Sequence, residues 1–431
     1  MRIEGSSEPI IEKNRAKFPT IMTDTNRYLE VADTIGASLC RDALWAGDRC
    51  NWLGDAMEFV ELRWQVVRKT FGPDFYGGTS GIALFLAYLF SCTQEQIFKK
   101  TALAAVRCVL SQLDGFPLQT NFGFYSGSVG IAYALAEIGK LLGVEQFTDK
   151  SLEILKGIPR SDLAQSWDVV SGSAGVIPAL LKLNGGFNQD FLLETTLCHG
   201  DMLLKSANHN HNGWSWRTIQ EPGQKDLTGF SHGTAGIAWA FLELHKKFQE
   251  ARFLEAAQHA MHYEQHWYNP QQENWPDFRS QNETTPPSYG VTWCHGAPGI
   301  GLSRVRAYQI SHDLNRKAEA EAAVRTTTKS LKSAVQSGQG NYSLCHGNTG
   351  NAELLIYAGE ALKDENCTET VAQIADQGLE KYHLTRSPWP CGVLNGGETP
   401  NLMLGLSGIG YFYLRLYEPE VVPSILIIHP N

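Results

Sequence analysis

Seven stretches of the chain, 82–90, 131–142, 176–183, 237–248, 300–310, 351–362 and 409–417, are apolar almost all round. A helix without a polar face is buried on most sides, and Ile237-Ala238-Trp239-Ala240-Phe241-Leu242 is typical of the set. Between them lie segments with charge on one face only, at 98–113, 152–157, 190–206, 251–266, 316–334 and 370–382. The pattern predicts repeated pairs, each an inner buried helix followed by an outer, half-solvated one. No run of alternating polarity competes with it. Short strand-like pieces are expected only in loops and at 424–428.

Each apolar stretch follows a Gly-x-x-Gly. The pairs are Gly78 and Gly81, Gly127 and Gly130, Gly172 and Gly175, Gly233 and Gly236, Gly296 and Gly299, Gly347 and Gly350, and Gly405 and Gly408. Successive second glycines are 49, 45, 61, 63, 51 and 58 residues apart. One such motif carries no information, whereas seven in register define a repeat architecture. Glycine permits a tight turn into a helix whose first N–H groups can face a ligand; the alternative is that it only allows close packing. The predicted fold is all-α, a double-layered α/α toroid of seven helix pairs with its glycine turns at one rim around a central cavity. Residues 1–70 are expected as a helical extension (28–45 and 56–69) packed on the barrel, and 71–431 as one toroid domain. Two long insertions, 207–230 with Trp214 and Trp216 and 267–292 with Trp275, are expected to wall a substrate, because loops of that length in a compact fold are usually functional.

Composition narrows the partners. The formal charge is 36 − 45 = −9 with no basic block, which argues against nucleic acid. No apolar run reaches the roughly 18 residues of a membrane span. The first residues lack an export signal, so a cytoplasmic protein is expected. Nine cysteines, an odd and scattered set, read as reduced thiols rather than a disulfide framework.

Chemistry concentrates just before the turns. Trp293-Cys294-His295-Gly296 and Leu344-Cys345-His346-Gly347 put two Cys-His pairs in register, 51 residues apart. Thiolate and imidazole donors suit zinc, and three of the four would leave an open, catalytic position. The alternative is two buried thiols with turn-capping histidines. His232 in Ser231-His232-Gly233 shares that register and is a general acid or base candidate, or a plain turn histidine. Asp168 lies in an apolar approach to the third turn, where an unpaired carboxylate is costly; it either partners His232 or caps a helix. Cys198-His199-Gly200 lacks the second glycine and reads as structural. His209, His211, His259, His262 and His266 read as solvated.

With these motifs in hand, residues 76–417 resemble the lanthionine synthetase C-like family, through Trp293-Cys-His-Gly-Ala-Pro-Gly-Ile-Gly, Leu344-Cys-His-Gly-Asn-Thr-Gly, Ser231-His-Gly-Thr-Ala-Gly-Ile-Ala and Leu404-Gly-Leu-Ser-Gly-Ile-Gly. The resemblance implies one zinc ion held by Cys294, Cys345 and His346. It implies Asp168 and His232 in proton transfer, with His295 a second candidate, and thioether rings made by adding peptide cysteines to dehydroalanine or dehydrobutyrine. His295 matches the cyclase halves of two-function synthetases, where nisin-type cyclases have tyrosine. An arginine that nisin-type cyclases carry four residues before the first zinc cysteine falls here on Gly290, leaving Arg279 and Arg304 as candidates. The segment before Tyr76 is shorter than a dehydratase half, so a dehydrated precursor peptide and a separate dehydratase or kinase/lyase enzyme are expected partners. The rivals are glutathione addition to dehydroamino acids on the same fold, a prenyltransferase-like zinc toroid, for which no basic cluster is seen near the turns, and a non-catalytic scaffold.

Overall fold

The structure, a computed structural model, describes residues 25–60, 63–160, 166–219, 224–279 and 285–430. The first part of the expected extension, 1–24, lies outside them. Fourteen α-helices and three two-stranded antiparallel sheets make up the described residues. The inner helices are α2 (Thr79–Thr93), α4 (Ser128–Leu142), α6 (Ser173–Phe187), α8 (Thr234–Phe248), α10 (Ala297–Ser311), α12 (Asn348–Leu362) and α14 (Leu406–Tyr417). The outer ones are α3 (Gln96–Gln112), α5 (Glu145–Lys156), α7 (Asp190–Ser206), α9 (Ala251–Trp267), α11 (Leu314–Ser337) and α13 (Glu365–Gly378). Inner helices pack neighbour to neighbour from α2 to α12, and α14 packs back on α2. The fold is the expected α/α toroid.

The seventh outer helix comes from the other end of the chain. Helix α1 (Asn26–Asp42) packs along α14 through Tyr28, Val31, Ala32, Ile35 and Leu39. It was expected as decoration, and only separation along the chain hid the pairing. Residues 56–69, expected as helix, form a ribbon instead, β3 (Leu53–Val60) against β4 (Arg63–Thr70). A smaller hairpin, β1 (Leu44–Ala46) with β2 (Arg49–Asn51), precedes it. Val60, Trp64, Val66 and Val67 favour strand over helix, and charged residues between them masked the alternation. The strand-like 424–428 forms no strand and bends at 425–427; Ile425, Leu426, Ile427 and Ile428 are buried. Their carbonyls accept from Tyr125 Oη (2.6 Å, Ile425) and Trp293 Nε1 (3.0 Å, Leu426), so the tail crosses beneath the turns.

The glycines serve close approach. Each first glycine is an N-cap, and only Gly296, at φ 92°, adopts left-handed backbone there. At the second glycine of every motif a Cβ would strike the carbonyl oxygen six residues earlier, at 1.7 Å for Gly130 and 1.8 Å for Gly350. The helix N–H groups are not free: Thr79, Ser128, Ser173, Thr234, Asn348 and Leu406 each donate to the carbonyl seven residues back. These first N–H groups are therefore satisfied within the protein. Neighbouring inner helices are further joined by buried ion pairs, Arg306–Glu243 at 2.5 Å and Arg415–Glu353 at 2.9 Å.

Gly130→Ala is expected to destabilise the protein by about 2 kcal/mol or more, since overpacking commonly costs about 1–3 kcal/mol. Gly115→Ala, where a Cβ meets nothing within 4 Å, should stay within about 0.5 kcal/mol of wild type. Urea unfolding of the two variants checks the contrast.

Candidate metal centre

The loops before the inner helices are stitched to one another. Tyr76 N donates to Tyr125 O (2.8 Å), Tyr125 N to Val170 O (3.0 Å), Val169 N to Ser231 O (3.0 Å) and Ser231 N to Cys294 O (3.2 Å). Cys294 N then donates to Cys345 O (3.3 Å), Cys345 N to Met403 O (3.0 Å) and Met403 N to Tyr76 O (3.0 Å), which closes a ring. Tyr76, Tyr125, Val170, Ser231, Cys294, Cys345 and Met403 stand at one register, five residues before the second glycine. The following register holds Gly77, Ser126, Ser171, His232, His295, His346 and Leu404. In five loops a polar side chain three residues earlier accepts from that next residue's N–H: Asp74, Asp168, Thr292, Ser343 and Asn401.

Cys294 and Cys345 are thus consecutive members of the ring, and His346 follows the second. Their three ligand atoms lie within 4.8 Å of one another. His346 Nε2 is 2.8 Å from Gly392 O, so that nitrogen carries the proton and Nδ1 is left as donor to a metal. A Cβ at Gly392 would stand 2.6 Å from Ser343 Oγ and 3.0 Å from this Nε2, so a side chain there would crowd both. A hydrogen bond from the Cys345 thiol, helped by Thr292, His346 and the Arg279 charge, outweighs burial and lowers the Cys294 thiol to about 6. Giving that hydrogen bond, together with burial, pushes Cys345 well up. Two thiols and one imidazole converging at this spacing are a donor set suited to a soft cation.

The ligands open on a cavity of about 610 Å³ also lined by Asp74, Tyr76, Ser126, His232, Arg279 and His295. His232 Nδ1 is 2.6 Å from Asp168 Oδ2. Burial alone would lower this imidazole, but the Asp168 carboxylate wins and raises it. His295, 2% exposed, is pushed the other way, to about 3, by burial and by Arg279. Its ring stacks over His232 at 6.1 Å. Two imidazoles in one cavity are thereby shifted in opposite directions. A larger cavity of about 920 Å³ lies at the helix C-terminal end around Arg306, Glu353 and Arg415, away from these groups.

Of the two arginine candidates, Arg279 reaches the cavity and pairs with Asp277 at 2.7 Å. Arg304 does not: it is fully buried on α10, bound to Glu319. The fifth loop explains the change of route. Ala297 N, which by the rule of the other loops would bond Gly290 O, bonds Asn274 Oδ1 at 2.9 Å, while Asn274 Nδ2 donates to Gly290 O at 3.0 Å. The tryptophan walls are also corrected. Trp216 and Trp275 are buried, and Trp214 is stacked between His209 and His259, away from the cavity. His199 is buried on α7 with Ser173 Oγ at 2.9 Å and serves packing. Sequence reasoning missed Tyr76, which lines the cavity, and Asp74, which occupies in the first loop the register of Asp168 in the third. Comparing registers across loops would have found both.

The α/α toroid thus brings two thiols and one imidazole to one cavity, with the His232–Asp168 pair beside them. The chain belongs to the lanthionine synthetase C-like protein family, whose model matches residues 70–427. It is 23% identical over 390 residues to the Lacticin 481/lactococcin biosynthesis protein LcnDR2 of Lactococcus lactis subsp. lactis, covering 85% of this chain and 38% of that protein. The chain thus spans well under half of that relative. It is 25% identical over 343 residues to the Nisin biosynthesis protein NisC of the same organism (71% of this chain, 79% of NisC). Against Glutathione S-transferase LANCL1 of Danio rerio it is 23% identical over 366 residues (80% and 82%). The solved structure of nisin cyclase superposes with a TM-score of 0.61 at 18% identity, over 92% of this chain and 95% of that one. No helix among the described residues is long and apolar enough to cross a membrane.

Asp168→Asn is expected to lower the His232 pKa, read by NMR titration of the ring. Because the folded value is raised, the stabilisation from the charged pair is complete below the unfolded pKa near 6.5 and is lost as pH rises through the folded pKa. The stability gap between wild type and Asp168→Asn should therefore shrink with rising pH across that window. A gap that widens contradicts the pairing.

Proposed function

We propose that this protein is a zinc-dependent lanthipeptide cyclase, which adds cysteine thiolates of a dehydrated precursor peptide to dehydroalanine or dehydrobutyrine in the same peptide. The observation that carries this reading is the convergence of Cys294, Cys345 and His346 within 4.8 Å in a cavity that also holds the His232–Asp168 pair. Family membership and the relatives named for lacticin 481 and nisin biosynthesis support it. The donor set fits zinc: two soft sulfurs and one oriented imidazole nitrogen, with a fourth position left to the substrate. When bound, zinc supplies the Lewis acidity that lowers the pKa of a substrate thiol.

The protein's own residues do the rest. Arg279 adds positive charge beside the sulfurs and favours thiolate there. The incoming sulfur forms a bond to the β-carbon, and the π electrons of the broken double bond pass to the carbonyl as an enolate. His232, whose hold on a proton Asp168 strengthens, gives its proton to the α-carbon. The neutral imidazole then takes the proton of the next thiol, so the cycle balances. His295, held neutral, suits hydrogen bonding to the reacting peptide better than proton donation. The unsaturated residue is consumed here, so a dehydrating enzyme has to act first. The free thiols at the site suit a reducing, cytosolic setting.

The relative named as a glutathione S-transferase motivates a second reading, in which glutathione supplies the thiol. Mass spectrometry of a dehydrated peptide with a free cysteine, in the presence of glutathione, separates the two. Cyclisation consumes the peptide thiol at unchanged mass, whereas the alternative adds the mass of glutathione.

Cys345→Ala is expected to lose zinc and ring formation together. His232→Asn should keep stoichiometric zinc while the rate falls about 10²–10⁴-fold, the usual contribution of a general acid. A zinc-free Cys345→Ala protein that still closes rings contradicts the reading.

A further inference from the structure

The proposed chemistry leaves the segment after α14 without a role, although it runs directly under the rim. Four of its carbonyls are each taken by a side-chain donor. Arg415 Nη1 donates to Val422 O and Tyr411 Oη to Pro423 O, both at 2.9 Å. Tyr125 Oη donates to Ile425 O at 2.6 Å and Trp293 Nε1 to Leu426 O at 3.0 Å. Ser424 Oγ accepts from the Leu426 and Ile427 N–H groups at 3.2 and 3.3 Å, which sets the bend.

The last two anchors belong to the turn loops. Tyr125 is a member of the backbone ring, and Trp293 directly precedes Cys294. Their rings meet edge-on with centroids 5.3 Å apart. Trp293 stands six residues before the second glycine of its motif, a register that elsewhere holds Phe75, Phe124, Val169, Phe230, Leu344 and Leu402, all buried. This register is an apolar layer behind the ring, and Trp293 alone brings a polar side-chain atom into it. A buried N–H needs an acceptor, so the layer and the tail meet at one fixed point, next to a sulfur ligand. The fifth loop also has the least hold of its own. The first N–H of its helix goes to Asn274 rather than to the loop's own carbonyl, and Gly296 there is left-handed.

We propose that residues 422–428 form a floor that positions the Cys294 sulfur, and that Trp293, through its bond to Leu426 O, is the positioning residue that transmits this hold. The inference rests on the zinc reading above. Two sulfurs and a nitrogen grip one ion only while their spacing holds. The ring fixes Cys294 by its own amide and carbonyl. The indole bond fixes the residue before it. Together they restrict the backbone rotation that would swing the sulfur away from Cys345 and His346.

The test is Trp293→Phe, which keeps an aromatic ring in the layer and removes the N–H. Zinc affinity, read by competition with a chromophoric chelator, should weaken about tenfold, the lower end of what groups orienting a metal ligand contribute. The cobalt(II)-loaded variant should show ligand-field bands displaced from those of wild type. Trp52→Phe is the comparison, since Trp52 Nε1 donates to Leu39 O at 2.7 Å in an equally buried setting outside the cavity lining. It should lower the thermal midpoint about as much while leaving zinc affinity and the cobalt bands at wild-type values. Ser424→Ala, which loosens the bend and touches no ligand loop, should weaken zinc in the same direction by a smaller factor. Wild-type zinc affinity in both Trp293→Phe and Ser424→Ala, or an equal loss in Trp52→Phe, overturns the assignment and leaves the zinc reading standing. A folded wild-type protein that binds neither zinc nor cobalt removes both.

Discussion

The closed ring of backbone hydrogen bonds among the seven turn loops is the constraint on which the rest depends. It joins Tyr76, Tyr125, Val170, Ser231, Cys294, Cys345 and Met403, with Val169 supplying one amide. Backbone bonds of this kind are indifferent to side chains, so the ring fixes positions and leaves their chemistry open. Cys294 and Cys345 meet because adjacent ring members must, and His232, His295 and His346 share the next register for the same reason. The glycines serve the ring by letting each inner helix press against the loop it follows. A rim so built lets one repeat carry sulfur, another an imidazole and another nothing at all.

Charge is then distributed by what each position faces. His232 faces Asp168, which strengthens its hold on a proton; burial and Arg279 weaken that of His295. The two cysteines converge with His346, their ligand atoms within 4.8 Å of one another. Arg279 sits at the centre of this pattern, since its charge acts on Cys294, Cys345, His232 and His295 alike. The loop that carries it is held open by Asn274, whose side-chain amide stands between Gly290 and Ala297.

The helix pairs, the toroid and the convergence of the Cys-His-Gly motifs were legible because each rests on periodicity, and periodicity is a local property of the chain. What escaped depends on distance along the chain or on groups without a side-chain signature. Helix α1 completes the seventh pair from nearly 400 residues away. The Gly392 carbonyl that orients His346 has no side chain to announce it. Tyr76, beside a glycine turn, has the look of core packing until its register is compared with Cys345. Arg304 drew notice by being near the fifth turn along the chain, yet its helix carries it into the protein and onto Glu319. The ribbon of β3 and β4 looks helical in the sequence because its charges recur without a clear period of two.

The central claim is that Cys294, Cys345 and His346 grip one zinc ion at this rim. X-ray absorption at the zinc edge of the purified protein tests it most directly. The account predicts one zinc per chain, with two sulfurs at about 2.3 Å and the remaining neighbours, nitrogen among them, at about 2.0–2.1 Å. A spectrum with no sulfur neighbours, or a folded protein that holds no zinc, would contradict it.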